Sequence, residues 1–542
     1  MKIVDNNNSN YSNVHPVPLE ILFQPTYEFI ETNNVSMWVG ANGMGSHDPR
    51  SDDSGLRWNV IDAPYNTTVF ADGPVFGFYR DDSARAYAST YRFGFTPGVI
   101  YDDGSYTEPN DAGYFVYKAG KDLELLPPGN EQYKYEYAHE NWPAEDGAPF
   151  IDNNLNGVYE PEFDEPDIRG DQMLWWSNHT ADSARSSWTY GSYGDKIEIH
   201  TSVWSSENPF PDVVYKEYKF INKSEKVLTD FYFAYWADPD VGYAADDFAG
   251  VDTLLNLGFC YNSDDYDDGY FTNTPASTGY LLLDGPVVPG GVNDTARFNG
   301  ELRSGVKNLP LAAFQFFIGG HHLYSDPALG TYEGTKQIYN QITGKLWNGD
   351  PIIDPNTTEP TKFALAGYPE KGTGWYEGDG WPTIMQGGDR RIIMSSGPFT
   401  MAPGDTNCVT MAILNARGVN RIKSLINLKR LARQVGNEWV YGIITGTEKN
   451  SNFIPEEYQL AQNYPNPFNP STVIEFSLPE QANVQLEVFN ILGEKVADLV
   501  NTELLAGVHK VDFNGEGLAS GLYIYRLTAG DVNLVRKMML LK

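Results

Sequence analysis

From Val35 to about Asn415 the chain reads as short apolar runs broken by Gly, Pro, Asn and Asp. That punctuation constrains the fold more than any other feature. A helix cannot propagate through breakers at this density, whereas short strands joined by turns need them. The 52 Gly and 34 Pro among 542 residues, with 14% aromatics, suit many short strands rather than long helices. Heptads, Gly-X-Y periods and apolar runs of membrane-spanning length are absent from the sequence, which excludes coiled coils, collagen and a transmembrane helical segment. At roughly 150 residues per domain, and more for β folds, the length gives about two to four domains.

Asp and Glu number 72 against 38 Lys and Arg, a formal charge of −34. Such a surface repels phosphate backbones and anionic lipid and attracts cations, so nucleic acid is not an expected partner. Cys260 and Cys408 leave open one bridge or two buried thiols. Met1–Val14 carries one Lys and a polar Asn/Ser run, without the apolar segment of a secretory leader.

The pattern predicts a mostly β protein. Residues 1–30 read as a polar lead-in, and residues 31–440 as a large multi-strand β region, long enough for two domains, with one late helix. Val213–Asn222 and Leu228–Trp236, rich in Val, Tyr and Phe, predict a hairpin across Lys223–Lys226, and Phe314–Ile318 and Cys408–Leu414 predict further strands. Over Asn420–Trp439, Ile422, Leu425, Ile426, Lys429, Ala432 and Val435 recur at three- and four-residue spacing, which predicts an amphipathic helix. Residues 441–457 are polar and aperiodic and read as a linker. Residues 458–542 predict an immunoglobulin-like β-sandwich of about seven short strands: Val484, Leu486 and Val488 alternate with polar residues, and Leu522–Thr528 and Val532–Leu541 form a last hairpin.

That C-terminal module carries a motif series. Asn463-Tyr464-Pro465-Asn466-Pro467-Phe468 opens it, Val488–Val496 and Leu505–Lys510 follow, and Gly521–Tyr525 and Arg536–Lys542 complete it. The series resembles the type A C-terminal sorting domain of type IX (Por) secretion in Bacteroidota, over the whole module. The resemblance implies the type IX machinery as partner, surface polysaccharide as an attachment point, and a protein secreted or held on the outer cell surface. It also implies a leader, which Met1–Val14 does not supply. Independently of the resemblance, Pro465, Pro467 and Pro470 lack an N–H and force an extended entry that cannot pair as an inner strand. In the large region, Asp238–Gly242, Asp246–Thr253, Leu257–Asn262 and Asp389–Arg391 resemble a recurrent cargo region of such surface proteins, and that likeness implies no activity.

Two segments have the chemistry of hard-cation sites. Asp152, Asn154 and Asn156 stand at positions one, three and five ahead of Gly157, so their oxygens would converge inside one tight turn. Val158 would add a carbonyl, with Glu160, Glu162 or Asp164 completing the shell. Pro149 and Pro161 deny the loop the helices of an EF-hand, and a solvated Asn/Asp turn has the same pattern. Asp238, Asp240, Asp246 and Asp247, with Asp252, form a second acidic cluster straight after a strand. Asp264, Asp265, Asp267 and Asp268 read as a solvated, self-repelling loop. Calcium is the one cofactor expected.

Paired carboxylates with Trp175, Trp176, Trp347, Trp375 and Trp381 would suit a glycoside hydrolase. Among so many acidic residues such pairs arise by chance, and Trp is by default a core residue. His321 and His322 are adjacent, so in a strand they would face opposite ways and not share an ion. The favoured function is a non-enzymatic, calcium-binding surface or adhesion protein exported through its sorting domain. The alternative is a secreted polysaccharide-binding or glycoside-hydrolysing enzyme.

Overall fold

The structure is a computed structural model that describes residues 27–58, 66–109, 111, 114–121, 129–267, 270–271, 274–292, 294–378, 386–441, 458–463, 466–479, 482–504, 507–530 and 532–541. Most of the lead-in, linker residues 442–457, Asp268, Trp381 and the motif residues Tyr464 and Pro465 lie outside the described residues. The chain divides into two compact units, Met1–Gly436 and Asn437–Lys542.

The first unit is built on two large antiparallel sheets. One runs, in spatial order, Tyr117–Gly120, Gln172–His179, Ile197–Ser205, Val213–Asn222, Thr406–Arg417, Ala276–Asp284, Leu257–Asn262 and Asp247–Asp252. The other runs Leu311–Ile318, Arg390–Met401, Leu228–Asp238, Ala71–Arg80 and Ser83–Ala88. Aromatic rings fill the space between them: Phe76 and Phe233 of the second sheet meet Phe220 of the first at centroid distances of 5.4 and 5.6 Å. The outer faces are covered too. The helix Arg421–Tyr441 lays Leu425, Leu428, Ala432 and Val435 against Phe259 and Leu414 of the first sheet. The helix Tyr332–Ile342 lays Ile338 and Ile342 against Val75 and Ile393 of the second. Strands covered on both faces lose the polar alternation, and Gln172–His179 and Ile197–Ser205 are buried at every position.

Val213–Asn222 and Leu228–Asp238 are strands, but they do not pair as the expected hairpin. They lie in facing sheets, and the connection carries the chain from one layer to the other. Asn222 N–H donates to Asp405 O at 2.9 Å and its carbonyl accepts from Gly404 N–H at 2.8 Å, so this crossover is stitched to the one joining Arg390–Met401 with Thr406–Arg417. Among the described residues, three helices accompany the late one, Asn130–Glu140, Ser183–Tyr190 and Tyr332–Ile342. Two begin at side-chain caps: Asp182 accepts from the N–H groups of Ala184 and Arg185, and Thr331 from that of Gly334. Lys429, in the apolar stripe of the late helix, is buried against Glu370 at 2.8 Å and Asp252 at 3.3 Å.

His179 gives this unit a pH dependence. The ring is fully buried; Nδ1 accepts from Ala181 N–H at 3.2 Å, so Nε2 carries the proton and meets Thr107 O at 3.1 Å. Burial lowers its pKa from 6.5 to about 4. A histidine depressed in the folded state stabilises it above the unfolded pKa, and that stability is lost as pH falls towards about 4. The chain should therefore lose up to about 3 kcal/mol from this group on acidification across that window, at ~1.4 kcal/mol per pKa unit. Urea midpoints at both ends of the window, in wild type and His179→Gln, check this: the wild type should fall by more than the variant.

In the second unit two sheets pack face to face. Gln459–Leu460, Ser471–Leu478 and Gly507–Asn514 form one; Lys495–Leu504, Ala482–Asn490, Gly521–Ala529 and Val532–Leu540 form the other. Val484, Leu486 and Val488 point into the core, as their alternation requires, and meet Ile474, Phe476, Leu527 and Leu540 there. No helix among the described residues is long and apolar enough to cross a membrane.

Candidate metal centre and the C-terminal module

Strand register assembles the acidic site. Leu228–Asp238 runs antiparallel to two neighbours, with Ala237 opposite Ile392 on one side and Asp238 opposite Ala71 on the other. The end of one strand thus meets the beginnings of two others. Asp238 and Asp240 leave the central strand where Asp389 and Phe70 lead into its neighbours. One carboxylate oxygen from each of Asp238, Asp240 and Asp389 lies within 4.8 Å of the others. The three aspartates line a cleft of ≈ 240 Å³ with Phe70, Ala244 and Ala245.

Asp238 is 6% exposed. Its Oδ2 accepts from the Tyr91 hydroxyl at 2.9 Å, while its Oδ1 has no hydrogen-bond partner. An unpaired buried acceptor costs roughly 1–3 kcal/mol, and more when charged. Burial, then Asp240 and Asp389, push the Asp238 carboxyl up to about 8. Burial, Asp389 and Asp53 push Asp240 to about 7. Arg391 pulls the other way, but its guanidinium is divided between Asp389 and Asp326, at 2.6 Å each. Three crowded carboxylates with a shared arginine must hold protons or a cation. All-oxygen, anionic donors suit a hard divalent ion such as calcium.

Asp246 and Asp247 stand elsewhere. Asp246 Oδ1 accepts from Asn262 Nδ2 at 3.1 Å, and the fully buried Asp247 accepts from Val241 N–H at 3.1 Å. Asp252 is taken by Lys429. Asp267, expected in solvent, is fully buried and accepts from Tyr243 N–H at 3.1 Å; Asp265 accepts from Arg421 N–H at the start of the late helix. Asp389 was not among the expected ligands, because only the antiparallel register brings it beside Asp238.

The loop from Asp152 is closed by a two-residue ladder, Phe150–Ile151 with Glu165–Pro166. Gly157 sits at φ 78°, as the turn requires. Asp152 accepts from the N–H groups of Asn156 and Gly157 at 3.2 and 2.7 Å. Asn154 and Asn156 donate their amides to Glu160 Oε2 at 2.7 and 2.6 Å, and Val158 N–H donates to Asn156 Oδ1 at 2.7 Å. Glu162 is exposed. The loop draws the expected residues together, with its oxygens already accepting its own donors.

Trp175, Trp176 and Trp375 are core residues, 2–3% exposed. Cys260 and Cys408 are buried free thiols. His321 and His322 lie in a turn rather than a strand, with rings stacked at 4.8 Å.

In the C-terminal module the motif residues divide by burial. Asn463 is 2% exposed; its N–H donates to the Tyr525 hydroxyl at 2.8 Å and its amide to Thr472 Oγ1 at 3.0 Å. Phe468 is 1% exposed, and its backbone pairs with Met539 and Leu541 of the terminal segment at 2.9 and 3.0 Å. Asn466, Pro467, Asn469 and Pro470 stay exposed. Residues 462–541 match Por_Secre_tail, the secretion system C-terminal sorting domain. The C-terminal module is that sorting domain. It implies interaction with the type IX machinery and export to the cell surface or beyond. No curated protein matches the chain in sequence. Among solved structures, a polysaccharide lyase is 10% identical at a TM-score of 0.21, over 65% of this chain and 35% of its own. PorZ, an essential surface component of the type IX secretion system of Porphyromonas gingivalis, is 8% identical at a TM-score of 0.15, over 95% of this chain and 75% of its own. The chain spans about a third of the lyase's length. Scores this low do not amount to a shared fold.

Proposed function

We propose that the sorting domain delivers a non-enzymatic surface or secreted protein, whose large unit binds calcium at Asp238, Asp240 and Asp389. The observation that carries this reading is the buried, unpartnered Asp238 Oδ1 within a carboxylate trio. An extracellular setting supplies calcium at levels that fill sites of ~10⁻⁴–10⁻³ M. The Asp152–Asp164 loop is a second, weaker candidate, and surface polysaccharide is the proposed attachment point after export.

Melting curves test the centre. Calcium at about 100 times Kd should stabilise by ~2.7 kcal/mol. For a unit the size of Met1–Gly436, at ~2.1 cal/mol/K per residue, that is roughly a 3 °C rise. Asp240→Asn should melt higher than wild type without calcium, because one crowded charge is gone, and should lose most of the calcium response. An equal rise in both chains would rule the trio out.

A further inference from the structure

We propose that the cation at Asp238, Asp240 and Asp389 is an open docking point for a neutral glycan, which binds through a vicinal diol of one sugar residue. The proposal rests on the cation reading above and adds the ligand. Calcium takes 6–8 oxygens, and the trio offers one from each carboxylate on one side of an open cleft. Positions on the cleft side are left for water or for ligand oxygens, and two neighbouring hydroxyls can replace two waters.

The lining selects the ligand class. Carboxylates only accept hydrogen bonds, so the oxygens of Asp240 and Asp389 left free by the cation and by Arg391 pair with hydroxyl donors, whereas carboxylate, sulfate and phosphate groups bring them no donor. The net charge of −34 acts in the same direction at longer range. One wall is apolar: Phe70 lines the cleft and offers a ring to the C–H face of a sugar, while Ala244 and Ala245 keep the opening clear. Tyr91, 42% exposed, fixes Asp238 through its hydroxyl and packs edge-on against Trp236 at 4.8 Å. At ≈ 240 Å³ the cleft is below the ~300–1,000 Å³ of sites for drug-sized ligands, which fits a single or terminal sugar residue rather than a buried chain.

Calorimetry of the full chain tests this with methyl α-mannopyranoside and methyl α-fucopyranoside as diol probes and succinate as the carboxylate probe. Each is titrated with calcium and with chelator. A glycoside signal that requires calcium, exceeds that of succinate and disappears in Asp240→Asn is expected. Phe70→Leu should weaken the glycoside about three- to tenfold in calcium-saturated protein, the worth of an aromatic contact. Calcium uptake without glycoside uptake would overturn the docking role while the cation reading stands. Tighter binding of succinate would overturn the ligand class. Absence of calcium uptake would remove both readings.

Discussion

Removing residues 458–542, with expression in a bacterium that has type IX machinery, should reduce surface-exposed protein to background. The effect should be nearly complete because the sorting domain implies interaction with that machinery. Within the domain two kinds of change should behave differently. Asn463 and Phe468 are buried and hold the entry segment to Thr472, Tyr525 and the terminal strand. Phe468→Ala should cost about 3–5 kcal/mol of this small unit's stability and lower delivery by unfolding it. Substitutions at the exposed Pro467 and Asn469 should leave the melting temperature within about 2 °C and test recognition itself. Immunodetection on intact cells, before and after added protease, provides the readout. Equal surface signal from the truncated and full-length chains would refute the role.

Asp72→Ala should strongly destabilise the large unit. Asp72 lies in the strand Ala71–Arg80 and Lys216 in the strand Val213–Asn222 of the facing sheet, so their contact ties the two layers together. Both are buried; Lys216 Nζ lies 2.8 Å from Asp72 Oδ1 and 2.7 Å from the Tyr235 hydroxyl, and Ser46 donates to Asp72 Oδ2 at 2.8 Å. Burial lowers the lysine pKa, with Asp72 opposing that shift. Truncating the aspartate leaves an ammonium in the core, at a cost of about 3–5 kcal/mol, or roughly 3–6 °C for a unit of this size. Replacing both partners by apolar residues, as in Asp72→Val with Lys216→Met, should recover most of the loss, since the pair's desolvation penalty disappears with its attraction. If the double variant melts as low as Asp72→Ala, the cost lies in packing rather than in the orphaned charge. Gly45 is bound up with the same contact: a Cβ there would come within 2.2 Å of Asp72 Oδ1 and 2.7 Å of Lys216 Nζ.

What the sequence revealed follows from which signals are local. The C-terminal strands show a polar face and an apolar face, so Val484, Leu486 and Val488 announced their side of the sheet. The late helix showed its stripe, although Lys429 within it is explained only by Glu370 and Asp252, which are far away in sequence. The facing strands Val213–Asn222 and Leu228–Asp238 looked like a hairpin because apolar residues on both faces do not distinguish pairing from packing. The short helix Asn130–Glu140 is rich in Tyr and Glu and offers little apolar period. Asp238 and Asp240 were visible as acidic residues after a strand, whereas Asp389 joins them only through antiparallel register. Asp246, Asp247 and Asp252 drew attention by proximity in sequence, and the fold gives each a different partner.

Calorimetric titration of calcium into the wild type, Asp240→Asn and Asp152→Ala, with magnesium as control, tests the carboxylate trio as the calcium centre. Expected are calcium uptake by the wild type at ~10⁻⁴–10⁻³ M, loss of the main site in Asp240→Asn and its retention in Asp152→Ala. Identical isotherms for the wild type and Asp240→Asn would contradict that assignment.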